Sequence, residues 1–60
     1  MTTIEVELPD ELAWALAEFC KRASYDDYRQ RAASEQEADD MQNAAEKIRA
    51  ALAEKGIAPR

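Results

Sequence analysis

Histidine is absent from the chain, glycine occurs once, at Gly56, and cysteine once, at Cys20. Each scarcity removes a class of function. Without histidine the commonest general base and a common metal ligand are both missing. One thiol cannot close an intrachain disulfide, and it cannot build a zinc site alone. A solitary glycine leaves no glycine-rich loop to cradle a phosphate. Positive charge is also scarce: eight bases stand against thirteen acids, for a net charge of −5 and an isoelectric point near 4.5. Like-charge repulsion therefore opposes direct binding to DNA, RNA or an anionic membrane. No stretch approaches the roughly 20 apolar residues of a membrane span. No charged n-region followed by an apolar h-region is visible, and with a free thiol the expected compartment is the cytoplasm. No cofactor is expected.

What remains is a short, alanine-rich, charged chain. Sixty residues make a single small domain over 1–60. A domain of this size buries only about 60% of the surface its unfolded chain exposes, so it needs support from helix packing or self-association. The apolar share is 47%, but thirteen of those residues are alanine. The large apolar side chains are Ile4, Val6, Leu8, Leu12, Trp14, Leu16, Phe19, Tyr25, Tyr28, Met41, Ile48, Leu52 and Ile57.

The expected fold is mainly α, with one N-terminal strand and two or three helices. Over residues 2–8, Ile4, Val6 and Leu8 alternate with Thr3, Glu5 and Glu7, the pattern of a half-buried strand. Pro9 ends that run and suits the first turn of a helix, where Asp10 and Glu11 meet the positive end of the helix dipole. Helices are expected over about 9–23, 25–33 and 35–55. Leu12, Leu16, Phe19 and Ala23 form one stripe of the first, and Trp14 lies roughly opposite. Ser24 to Asp27 and Ser34 to Glu37 both have the form of a capping box, the second being the better formed. A break is expected near Ser34, while at Ser24 both a break and a continuous helix remain open. The third helix is the clearest, with Met41, Ala45, Ile48 and Leu52 on one stripe. Gly56 supplies a left-handed stop, with Ile57 placed to fold back on Leu52 and Pro59 preventing resumption. A lone strand cannot satisfy its own backbone groups, so residues 2–8 are expected to pair with their copy across a homodimer.

The run Ile4-Glu5-Val6-Glu7-Leu8-Pro9-Asp10-Glu11-Leu12, followed by Ala15 and Leu16, resembles the opening of ribbon-helix-helix proteins. These are dimeric regulators and antitoxins, and the resemblance covers about the first 23 residues. It implies a paired ribbon through Ile4, Val6 and Leu8 and outward strand residues that read DNA. The chain departs from that pattern in two places. Ala23-Ser24 stands where the family has glycine, and the outward residues are Thr3, Glu5 and Glu7. A ribbon without Arg, Lys, Asn or Gln has little with which to read bases. More distantly, the chain resembles short acidic proteins carried by plasmids and phages, through its size, its acidity and the phrase Tyr28-Arg29-Gln30.

Chemistry has few places to reside, and no enzyme is expected. Cys20 lies beside Lys21 and Arg22 in sequence, but residues one and two apart on a helix do not face each other. Asp26-Asp27 and Asp39-Asp40 lack the alternating ligands and glycine turn of a calcium loop. Two features point instead to binding. Glu35, Glu37, Asp39, Asp40 and Glu46 follow one another without an intervening base. Glu35, Asp39 and Glu46 line one side of the helix, and the candidate partner-binding face is Glu35, Asp39, Asp40 and Glu46. The second feature is aromatic: Trp14, Tyr25 and Tyr28 share a face if the helix continues through Ser24, and such residues often anchor interfaces. The functional expectation is a non-catalytic binder that occludes a basic, nucleic-acid-handling protein, in the manner of anti-CRISPR or other anti-defence inhibitors. Alternatives are a ribbon-helix-helix-like regulator or antitoxin, using Lys21, Arg22, Arg29 and Arg31, and a structural dimerisation module.

Overall fold

A computed structural model describes residues 1–60, and all its regular structure is helical. Helix α1 spans Asp10–Arg22, α2 spans Tyr25–Arg31 and α3 spans Glu35–Glu54. The N-terminal strand expected over 2–8 is not present: residues 1–9 have no regular structure and every one is exposed. Ile4 and Val6 keep 71% and 67% of their surface open to solvent. The reason is that an alternating sequence becomes a strand only when another backbone pairs with it, and no segment of this chain does so. The fold is therefore all-α, and the strand-paired dimer and the ribbon-helix-helix architecture that depended on that strand are corrected with it.

Local chemistry accounts for the helix boundaries. Pro9 stands at the N-cap of α1 with ψ 154°, and its carbonyl accepts from the Leu12 and Ala13 amides, both at 3.0 Å. The chain breaks at both serines. At α2 the capping box is fully reciprocal: the Asp27 amide donates to Ser24 Oγ at 3.4 Å, and the Ser24 amide donates to Asp27 Oδ2 at 2.8 Å. At α3 the Glu37 amide donates to Ser34 Oγ at 3.1 Å. Glu37 Oε1 reaches one residue beyond the cap and accepts from the Ala33 amide at 2.8 Å. The box at Ser24 is thus the more regular of the two, because Asp27 is too short to reach past its own cap. Helix α3 stops at Gly56, whose φ of 85° is the one left-handed backbone in the chain. The Ile57 amide returns to the Leu52 carbonyl and the Gly56 amide to the Ala53 carbonyl, both at 3.0 Å, which completes a Schellman motif.

Packing differs from the expected pattern. Helices α1 and α2 each pack on α3 and leave a groove between themselves. The buried residues are Ala13, Ala17, Tyr28 and Ala38, and no large side chain is fully enclosed. Stepping about 100° per residue from Leu12, Ala13 and Ala17 lie roughly 100° and 140° round α1. The helix is therefore turned away from its bulky stripe: Leu12 remains 52% and Phe19 60% exposed, while Leu16 is half-buried. Ala13 and Ala17 are buried on α1, whose helix neighbour is α3, and Ala38 on α3 is fully enclosed. The α3 stripe extends back from Met41, Ala45 and Leu52 to Ala38, and Ile48 sits at its rim. The fold measures 33 × 28 × 15 Å.

Three consequences are measurable by chemical denaturation. Nothing lies within 4 Å of a Cβ built on Gly56, so Gly56→Ala meets only the cost of its positive φ, about 1 kcal/mol. Ala38→Leu should cost about 1–3 kcal/mol by forcing the helices apart. Hydrogen bonds from the Ser24 amide and hydroxyl hold the Asp27 carboxyl below its ordinary value of 3.8, with Arg31 adding to them against slight desolvation. A depressed carboxyl stabilises the fold above its unfolded pKa, and that contribution is lost as the pH falls below 3.8 and through the lower folded value. Asp27→Asn should lower stability at neutral pH and flatten this part of the acid profile.

Candidate interaction surface

Two surfaces stand out on the folded chain, one acidic and one apolar. The acidic one lies on α3. Its 20 residues are held by the cap at Ser34 and the stop at Gly56, which makes it the longest rigid element. Glu35, Glu37, Asp39, Asp40 and Glu46 are all exposed. Glu35, Asp39 and Glu46 share one flank, roughly a quarter turn from the buried Ala38. Asp40 is about 100° further round and does not join that row. It accepts from Gln36 Nε2 at 3.1 Å, and Glu37 is occupied at the cap. The one ion pair in the molecule is Arg22 to Glu18 on α1, at 2.7 Å. The row of Glu35, Asp39 and Glu46 therefore carries three carboxylates without an ionic partner.

The apolar surface begins on α1. Leu12, Ala15 and Phe19 form a stripe that runs into the groove between α1 and α2. The groove has a volume of about 580 Å³ and is lined by Ala15, Phe19, Ala23 and Tyr28, with Glu18, Arg22, Asp27 and Arg31 at its edges. The edge charges are largely engaged within the chain. Arg22 pairs with Glu18, and Arg31 Nη1 donates to the Asp27 carbonyl at 3.0 Å.

The aromatic residues part company at Ser24. The break lets Tyr28 turn inward to 9% exposure, whereas Trp14 and Tyr25 stay on the surface at 42% and 36%. Burial raises the Tyr28 hydroxyl above its ordinary value of 10.0, and the nearby Cys20, Asp27 and Glu46 side chains add to it. Tyr28 is thus the floor of the groove and a neutral phenol at physiological pH. Cys20 is half-buried with a free thiol. Asp26 and Asp27 begin α2, and no three His, Cys, Asp or Glu side chains converge into a metal-binding group. Of the expected basic cluster, Arg22 and Arg31 reach the same groove, while Arg29 Nη1 turns back to the Ala32 carbonyl at 3.5 Å. No helix is long and apolar enough to cross a membrane.

Sequence reasoning missed the groove. Its one signal in the sequence is the placing of Phe19 and Ala23 on the same stripe of α1.

A small helical domain with surface rather than enclosed chemistry is the class defined by this geometry. Over residues 1–60 the chain matches a family of unknown function (DUF7706), and it belongs to that family. No curated protein and no solved structure matches it. The ribbon-helix-helix resemblance is accordingly corrected on two grounds, this family assignment and the missing strand. The resemblance to short plasmid and phage proteins has no support from these matches either.

Proposed function

We propose that the chain is a non-enzymatic binding protein whose carboxylate row on α3 docks on a basic, nucleic-acid-handling protein and occludes it. The observation that carries this reading is the unpaired row of Glu35, Asp39 and Glu46 on the longest rigid helix. At 1.5 Å rise per residue, Glu35 and Asp39 stand about 6 Å apart along the axis and Glu35 and Glu46 about 16 Å. A row of negative charges at that spacing resembles every second or third phosphate along one nucleic-acid strand, at about 3.4 Å each. Because the helix is capped at both ends, the carboxylates reach a partner without first ordering a backbone.

Two further features agree with binding rather than catalysis. The half-buried Cys20 has no histidine to activate it, and Tyr28 is kept neutral by its burial. The net charge of −5 would steer the chain towards a positive surface and speed encounter at low salt.

The test is a charge reversal. The triple variant Glu35→Lys, Asp39→Lys, Glu46→Lys and the native chain are tagged and used to capture partners from a nuclease-treated bacterial lysate. The native chain should retain a basic protein whose capture weakens as salt screens the contact. Affinity of the triple variant for that protein should fall at least about tenfold, since reversing rim charges slows association and adds repulsion. Helical circular dichroism should be unchanged, because all three positions are exposed. Equal capture by both chains would exclude the carboxylate row as the binding face.

A further inference from the structure

We draw no further inference here: the strongest candidate, the groove between α1 and α2 with Phe19 and Tyr28 in its lining, has two acids balanced by two bases at its edges, and nothing in the structure shows what covers it.

Discussion

The packing of α1 on α3, with Ala13 and Ala17 as the buried residues of α1, is the constraint on which the rest of this fold depends. Alanine contributes little apolar area for each residue buried, so this contact gains stability mainly from how tightly two backbones can meet. That choice has a geometric consequence. Turning α1 to place its alanines against α3 leaves Leu12 and Phe19 on a free flank and Trp14 on the other. It also separates α1 from α2, so that both lean on the same long helix with a groove between them. The exposed apolar surface and the groove follow from one packing decision.

How much of this can be read from the chain alone depends on the range of the interaction. Caps and stops involve residues within about four positions of each other, and their chemistry is written locally. Ser24 with Asp27, Ser34 with Glu37 and Gly56 with Ile57 are therefore legible in the sequence, and the bonds they form are close to those the residue types imply. The outward row of Glu35, Asp39 and Glu46 is legible too, because helix periodicity alone places it. Burial is different. A helix with alanines on one side and leucine and phenylalanine on another offers two candidate inner faces, and apolar size favours the wrong one. Which face turns inward is settled by α3, more than a dozen residues away. The alternating segment before Pro9 fails for a related reason: alternation describes a side-chain pattern, while a strand requires a second backbone, and none is within reach.

The two surfaces divide labour by charge. Negative charge collects on α3, where Glu35, Asp39 and Glu46 form no ion pair, while the groove beside Phe19 balances its own charges across Glu18, Arg22, Asp27 and Arg31. A long-range field comes from the first surface and a short-range apolar contact from the second. Tyr28 links the two regions, since its ring floors the groove and its hydroxyl lies within the field of Glu46.

An alanine seam is also a smooth one. Large side chains lock two helices by interdigitation, whereas short ones set how near the axes come and constrain their angle far less. Helix α1 is tied to α2 only through the two residues Ala23 and Ser24 and rests on α3 along methyl groups. The seam therefore fixes how near α1 stands to α3 more firmly than the angle between them, and the width of the groove follows that angle.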